Sequence, residues 1–198
     1  MANLAIDSAS QDLLFREAHS AHRFTDEPVS DEAVKAIYDL IKYAPTSMNM
    51  QALRVVLIRS DDARERLVRQ MIDTNKEKTS SAPLVAIIAA DLDFHDEMPR
   101  LFPHFPQAKD IFFAKRDDRV PHAVSSATLQ LGYFIVGVRA AGLGAGPMAG
   151  FDVDGVNKEF FDDGKHHAIC VMVIGNPAED AYHPRLPRLE YDEVFTTV

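Results

Sequence analysis

The octapeptide Ala44-Pro45-Thr46-Ser47-Met48-Asn49-Met50-Gln51 separates an amphipathic helical pattern from the apolar run Leu53–Ile58. Its proline ends the helix and favours an extended conformation at the residue before it. The side chains that follow therefore lie on an irregular connection, where binding sites are commonly built. Four of them can donate to and accept from a flat, heteroatom-rich ring, namely Thr46, Ser47, Asn49 and Gln51. Alternatively, the segment is a helix-stop loop whose hydroxyls bond their own backbone.

Length and composition predict one domain over residues 1–198. With 198 residues, 46% of them hydrophobic and 26% charged, the chain can bury a sizeable core and is typical of a soluble globular protein. Its net charge of −9, with no Lys/Arg run longer than two, argues against a nucleic-acid partner, because phosphate binding needs a basic face. The longest strongly apolar stretch, residues 129–138, is too short to span a membrane.

The cysteine content and the N-terminal composition favour a cytoplasmic location. Cys170 is the single cysteine, so no internal disulfide can form, which fits a reducing compartment. It stands within an apolar run and is expected to be buried and inert. The N-terminal residues lack the basic start and the apolar run of a signal peptide. We therefore expect a cytoplasmic protein.

Hydrophobic periodicity predicts helices interspersed with strands. Ser30 is a good N-cap, and apolar residues at helical spacing behind it predict a helix over 31–43. The other predicted elements are a short helix at 13–20, a strand at 53–58, a charged helix at 61–71, and strands at 83–90 and 168–174. The last two are continuous apolar runs, which are typical of strands buried on both faces. Helices should therefore cover the sheet on both sides.

The segment 122–141 predicts a long helix with almost no polar face, ended by Gly142. A helix that is apolar all round must be buried all round. In a chain of this size, packing against a second copy in a homodimer achieves that, and we expect this arrangement. A central core helix in a monomer is the alternative.

Residues 142–152, Gly-Leu-Gly-Ala-Gly-Pro-Met-Ala-Gly-Phe-Asp, form a glycine-rich segment. The spacing Gly144-x-Gly146-x-x-Ala149 formally fits a dinucleotide-binding fingerprint, but that motif needs a strand before it and a helix starting within it. Here a helix precedes, and Pro147 would remove a backbone donor from the phosphate cradle. We therefore reject a Rossmann site. Such glycines instead permit close approach of the backbone to a planar ligand.

Two further segments complete a pattern that resembles the nitroreductase family over about residues 13–194: His19-Ser20-Ala21-His22-Arg23-Phe24, and the tail that begins Arg185-Leu186-Pro187-Arg188. The family's loop reads Pro-[Ser/Thr]-Ser-x-Asn-x-Gln, as residues 45–51 do. In the first segment Ser20 and Phe24 match, whereas His19 and His22 stand where the family has arginine. Histidine is largely neutral near pH 7 and cannot form the bidentate fork of arginine, so weaker phosphate binding is expected there.

The resemblance implies an α+β fold in which helices wrap a central, mainly antiparallel sheet, and a homodimer with two flavin sites at the subunit interface. It implies FMN as the cofactor and NADH or NADPH as the hydride donor. Hydride would pass in a ping-pong sequence through FMN to a small acceptor. In such enzymes the flavin performs the chemistry, so we assign no catalytic residue to the protein.

The resemblance also implies a set of cofactor-binding residues. The flavin ring or ribityl chain is assigned to Thr46, Ser47, Asn49 and Gln51. The phosphate is assigned to His19, Ser20, His22 and Arg188, with Arg185 as the second candidate in the tail. The ring face is assigned to the Pro147, Met148 and Gly150 segment. No metal site is expected, because the histidines lack a metal-ligand spacing such as His-Glu-x-x-His.

Within the family, the chain looks most like the subgroup of malonic semialdehyde reductase and of proteins named "putative NADH dehydrogenase/NAD(P)H nitroreductase". The implied acceptors are a malonic semialdehyde-like aldehyde, a nitroaromatic or a quinone. A flavin-binding or storage protein without turnover, and a non-flavin interaction protein, remain alternatives. The aromatic excursion at 101–113 is either an ordinary packed loop or, by resemblance, a cover over the flavin.

Overall fold

A four-stranded antiparallel sheet forms the centre of the computed structural model, which describes residues 4–198. Its strands are β1 (Leu53–Ile58), β2 (Leu84–Asp91), β3 (Gly144–Met148) and β4 (His166–Gly175). They lie in the order β1-β2-β4-β3, and every neighbouring pair is antiparallel. The predicted α+β class with an antiparallel sheet is confirmed. The predicted strand at 53–58 is found as β1. The strands predicted at 83–90 and 168–174 are found as β2 and β4, with ends that differ by at most two residues.

Helices precede, connect and follow the strands in the chain, and several of the longer ones pack on the sheet. The helices are α1 (Ser8–Gln11), which continues as one π-helical turn (Asp12–Arg16), α2 (Asp31–Ile41), α3 (Asp61–Gln70), α4 (Asp73–Ser81), α5 (Met98–Leu101), α6 (Ala108–Phe112), α7 (Arg116–Ala140), α8 (Val153–Phe160) and α9 (Tyr191–Val194). The Ser30 hydroxyl accepts from the Ala33 amide, which confirms the predicted N-cap of α2. The helix predicted at 13–20 is wrong in its bounds, because the π-helical turn ends at Arg16.

Both faces of the sheet are covered, as the continuous apolar strands predicted. Side chains of β2 alternate between two clusters. Those of Val85, Ile87 and Ala89 pack with α3 and α8 on one face. Those of Leu84, Ala86 and Ile88 pack with α2 and α7 on the other face, where Cys170 is also buried. Burial raises the pKa of the Cys170 thiol, which agrees with the inert role expected for it.

Helix α7 is longer than predicted, and one of its stripes faces water. It begins at Arg116 and runs through Pro121, which lies outside the predicted range of 122–141. Pro121 is tolerated because it is exposed and lies near the solvated start of the helix. Leu129 and Tyr133 are 53% and 47% exposed on the outer stripe. One chain alone therefore does not bury this helix all round, and the homodimer remains a prediction. Within residues 4–198, none of the helices combines the length and the apolar character needed to cross a membrane.

Part of the glycine-rich segment forms a strand, and its glycines approach another part of the chain rather than only a planar ligand. Residues 144–148 form β3, and the Ala21 amide donates to the carbonyl of Ala145 at 3.0 Å. A Cβ atom at Gly146 would overlap the backbone carbonyl of Ala21, and one at Gly144 would lie 2.9 Å from the Ala21 Cβ. These glycines therefore permit close approach of the neighbouring chain segment. Gly142 follows α7 with a φ of 76°, which confirms the predicted helix end.

Candidate functional site

The loop at residues 46–51 has a strained backbone that differs from an ordinary helix-stop loop. After Pro45 the chain makes a 3₁₀ turn over Ser47–Asn49. The φ angles of Met48, Asn49 and Gln51 are 47°, 51° and 49°, in the left-handed region that L-residues avoid. Asparagine tolerates this conformation, but methionine and glutamine do so at a cost. Strain of this kind persists where surrounding contacts determine the geometry, and it concentrates at functional sites.

A chain of side-chain amides holds the loop in this shape. The Leu53 amide donates to the Oε1 of Gln130 at 3.0 Å. Gln130 Nε2 then donates to Gln51 Oε1, and Gln51 Nε2 donates to Asn49 Oδ1, each at 2.8 Å. Finally Asn49 Nδ2 donates to the carbonyl of Leu101 at 2.9 Å. The loop is thereby tied to β1, to α7 and to α5 by one continuous run of hydrogen bonds.

The orientation of every amide in this chain follows from its two ends. The Leu53 N–H can only donate, so Gln130 must present its oxygen to it. The Leu101 carbonyl can only accept, so Asn49 must present its nitrogen. The amide of Gln51 in the middle is then fixed by both neighbours. The Thr46 hydroxyl also accepts a hydrogen bond from the backbone N–H of Gln51 at 3.2 Å. For Thr46, the alternative interpretation that a loop hydroxyl bonds its own backbone is therefore correct.

The loop lines a cavity of about 700 Å³. Thr46, Asn49 and Gln51 form one wall of the cavity, and Ser47 lies exposed in the same turn. Arg100 and Leu101 of α5 also line it, at the start of the aromatic excursion. The excursion packs through Phe102, Phe105 and Phe113 in the same hydrophobic cluster as Met50 of the loop. The excursion is therefore a packed segment, and it also borders the cavity.

A second cavity, of about 680 Å³, contains a pair of histidines. The rings of His22 and His183 stack with centroids 4.0 Å apart and planes within 6°. Arg23 and Lys78 line the same cavity, and Arg23 pairs with Asp180 at 2.7 Å. Partial burial lowers the pKa of His22, and the positive charges that His183 and Arg23 can carry lower it further. The Nδ1 of His22 is buried and has no hydrogen-bond partner within residues 4–198.

The remaining phosphate candidates line neither of these two cavities. Ser20 forms a bridge with Ala145 of β3, and the His19 ring contacts Tyr182 with centroids 5.4 Å apart. In the tail, Arg185 Nη2 donates to the carbonyls of Arg16 and Ala18 at 2.6 and 3.1 Å. Arg188 instead donates to the carbonyls of Leu186 and Pro187 in its own tail segment. Arg185 is therefore the tail arginine that contacts the chain just before the 19–24 segment.

The strand end at residues 147–150 leads toward the second cavity through α4. Pro147 and Met148 are paired in β3 with Met172 and Val171 of β4. The Gly150 carbonyl accepts from Asn75 Nδ2 of α4 at 2.9 Å. The same helix supplies four cavity-lining residues, namely Thr74, Glu77, Lys78 and Ser81. A Cβ atom at Gly150 would overlap Ile72 and approach the Asn75 amide, so a larger residue there would displace these two side chains.

One chain brings three of the predicted site residues together in one cavity and one in the other, and the remaining predicted residues line neither. The loop residues Thr46, Asn49 and Gln51 share one cavity, and His22 lies in the other. Sequence reasoning missed Gln130, His183 and Lys78. A buried glutamine within an otherwise apolar helix is the signal that could have revealed Gln130, which is only 6% exposed.

Comparison with known proteins relates most of the chain to one family. Residues 15–176 match the family model described as "Nitroreductase family". A relative from Streptomyces griseus, named "Putative NADH dehydrogenase/NAD(P)H nitroreductase", is 59% identical over 196 residues and covers 99% of this chain and 100% of its own length. A relative of the same name from Streptomyces coelicolor is 60% identical, with the same coverage.

Solved structures agree in fold. A "putative nitroreductase" from Bacillus subtilis matches with a TM-score of 0.87 at 20% identity, over 97% of this chain and all of the other. A "putative nitroreductase in complex with FMN" from Exiguobacterium sibiricum matches with a TM-score of 0.85 at 18% identity, over the full length of both chains.

Proposed function

The chain belongs to the nitroreductase family, and on that premise we propose that it is an FMN-dependent NAD(P)H oxidoreductase that reduces a small acceptor. The flavin, when bound, supplies a carrier that takes hydride from NADH or NADPH and yields it to the acceptor. The protein then has to bind the flavin, orient it and exclude water, and we assign no general acid to it. The observation that carries the proposal is the loop cavity with its fixed amide chain.

The loop fits the edge of a flavin ring in shape and in chemistry. A flavin edge offers carbonyl oxygens, ring nitrogens and one N–H, so it needs both donors and acceptors in fixed directions. The amides of Asn49 and Gln51 line the cavity, and hydrogen bonds on both sides hold each of them in one orientation. An amide nitrogen has two N–H groups and an amide oxygen has two lone pairs. Each side chain therefore keeps bonding capacity for a ligand after its place in the chain is filled.

The second cavity fits the phosphate of FMN. His22, His183, Arg23 and Lys78 line it together with Glu77 and Asp180, and Arg23 is already paired with Asp180. Lys78 and the ring N–H groups of the two histidines are therefore the donors that can meet a phosphate oxygen there. In this proposal the tail arginine of the site is Arg185, which lies against the chain just before Ser20. It takes the role that the sequence suggested for Arg188.

Two copies of the chain complete the site in this proposal. The loop and the histidine pair line different cavities of one chain, so a single chain offers the ring-binding and phosphate-binding groups apart. The half-exposed Leu129 and Tyr133 give α7 an apolar stripe that a second copy can cover. We propose a homodimer in which the loop of one copy faces the histidine pair of its partner. His19, Ser20, Ser47, Pro147, Met148 and Gly150 remain proposed flavin contacts.

Flavin uptake followed by turnover tests the proposal. The purified protein is mixed with FMN, desalted, and examined for flavin absorbance at a ratio near one per chain. NADH or NADPH oxidation is then followed with and without a nitroaromatic or an aldehyde acceptor. Acceptor-dependent oxidation supports the oxidoreductase. Flavin retention without turnover favours a flavin-storing protein, and a colourless protein that takes up no FMN contradicts the proposal.

A further inference from the structure

The loop cavity has a charge opposite to that of the chain around it. The whole chain carries 30 acidic and 21 basic residues. The cavity, in contrast, is lined by three basic side chains, Lys42, Arg54 and Arg100, and by one acidic side chain, Glu97. Such a local reversal creates a positive potential that favours an anionic ligand.

The acidic partners of two of these cations are not part of the cavity lining. Lys42 Nζ pairs with Asp39 at 2.8 Å, and Arg54 Nη2 pairs with Asp91 at 2.5 Å. Neither aspartate lines the cavity, so each of these pairs contributes only its cation to the lining. Arg54 is also committed to the loop, because its Nη1 donates to the carbonyls of Gln51 and Leu53 at 2.9 Å. It supports the loop and has little freedom to turn toward a ligand.

Arg100 is the cation with freedom to meet a ligand. Its side chain is 73% exposed, and its partner Glu97 is exposed as well, at 45%. An exposed ion pair one helical turn apart contributes little stability, so Arg100 can exchange Glu97 for an anion at small cost. The next residue, Leu101, accepts the hydrogen bond from Asn49. The guanidinium therefore stands beside the loop that holds the flavin ring in the proposed function.

We propose that this cavity selects acceptors that carry a carboxylate, and that Arg100 is the specificity-determining residue. This inference rests on the proposed function, because the acceptor must lie against the flavin beside the loop. Arginine meets a carboxylate through two parallel N–H bonds, a geometry that a neutral acceptor cannot use. Glu97 competes with the substrate for the same guanidinium and so limits the preference.

Two acceptors of nearly equal shape test the inference, 4-nitrobenzoate and 4-nitrobenzamide. Their ratio of kcat/KM is measured in the FMN-loaded protein with NADH as donor, for the native chain and for each variant. Taking the ratio within each protein, and comparing it across proteins, removes the difference in intrinsic reactivity. Arg100→Gln should lower this benzoate-to-benzamide ratio by about tenfold or more, the range for loss of one charge-assisted pair. Glu97→Gln should raise the ratio, because it frees the guanidinium.

Opposite effects of two neighbouring substitutions cannot arise from a shared structural disturbance. Lys158→Gln, an exposed residue of α8 on the other face of the sheet, is the control and should leave the ratio unchanged. Added salt should reduce the preference of the native chain, because the pair is exposed.

The outcomes separate this inference from the proposed function. If neither acceptor supports NAD(P)H oxidation, the proposed function itself fails. If both acceptors are reduced but Arg100→Gln and Glu97→Gln leave the ratio unchanged, the function stands and the inference is overturned. A NADPH-to-NADH ratio, measured with the neutral acceptor, that falls in Arg100→Gln would assign the guanidinium to the donor's phosphate. That result also overturns the acceptor assignment.

Discussion

Replacing Gln130 by glutamate tests the amide chain at its buried link. The native run of side-chain amides makes four hydrogen bonds with four donors. These donors are the Leu53 N–H and one N–H from each of the three side-chain amides. A carboxylate at position 130 removes one donor and leaves four contacts with three donors. The carboxylate would face the side-chain oxygen of Gln51. Gln51 and Asn49 can rotate their amide groups by 180°, but this only moves the oxygen–oxygen contact to the next pair of groups. At the far end it would set Asn49 Oδ1 against the carbonyl of Leu101.

The cost of this substitution follows from the donor count and depends on pH. One acceptor left facing another in a partly buried site costs about 1–3 kcal/mol in free energy of unfolding. Gln130 is only 6% exposed, so desolvation should raise the pKa of the new carboxyl above its unfolded value of about 4.3. Once protonated, that carboxyl supplies the missing donor. The folded variant then binds more protons than the unfolded one, so its stability falls as the pH rises through the raised pKa.

Urea unfolding of the native chain and of Gln130→Glu, at about pH 4 and about pH 8, measures this difference. The variant should lie within a few tenths of a kcal/mol of the native chain at the lower pH and about 1–3 kcal/mol below it at the higher pH. Gln130→Met is the matched control, since it has a similar length and neither donor nor acceptor, and its deficit should not depend on pH. A Gln130→Glu deficit that is equal at both values, or absent at the higher one, refutes the donor count.

Leu129→Asp should leave the fold intact, because the side chain is half exposed in one chain, but it should convert a dimer into a monomer in sedimentation analysis; a native chain that already sediments as a monomer at micromolar concentration contradicts the dimer. Asn49→Ala should weaken FMN binding by the value of a neutral hydrogen bond, about 0.5–1.5 kcal/mol, and an unchanged dissociation constant excludes a flavin contact there. Arg185→Ala should weaken FMN far more than riboflavin, because only FMN carries the phosphate, whereas Arg188→Ala should change neither; the opposite ranking returns the phosphate to Arg188. Without flavin, stability should fall as the pH drops below about 6.5, because the lowered pKa of His22 lets the unfolded chain bind the proton first. His22→Asn should reduce that pH dependence, and an unaltered stability profile in this variant would assign the effect to other groups.

The elements that the sequence predicts well are those whose pattern is independent of distant contacts. Strands β2 and β4 are continuous apolar runs, and α2 has a side-chain cap and helical spacing, so local rules suffice for them. Strand β3 escapes these rules because its sequence, Gly-Ala-Gly-Pro-Met, has low strand propensity. It forms because β4 pairs with it on one side and the segment after Ser20 packs closely on its glycines. That contact spans more than a hundred residues of sequence and leaves no local signature.

The residues of the candidate site also fall into those with a local sequence signal and those without one. The loop residues Thr46, Asn49 and Gln51 could be predicted because they are close in sequence and follow a proline that ends a helix. Gln130 and Arg100 could not, because each reaches the loop only through folding, from α7 and from α5. Residues that meet a site across long sequence separations are visible only in the packed chain, where burial and hydrogen-bond direction identify them.

The left-handed residues of the loop also set the mutational tolerance of this region. At positions 48 and 51 the backbone excludes β-branched side chains, so Val, Ile and Thr should be strongly depleted there in a saturation library selected for folded protein. Glycine relieves the backbone at both positions, but at position 51 it also deletes the central link between Asn49 and Gln130. Selection for stability alone and selection for flavin retention should therefore enrich different residues at Gln51. In an engineering campaign, this position would reveal which of the two properties the screen had followed.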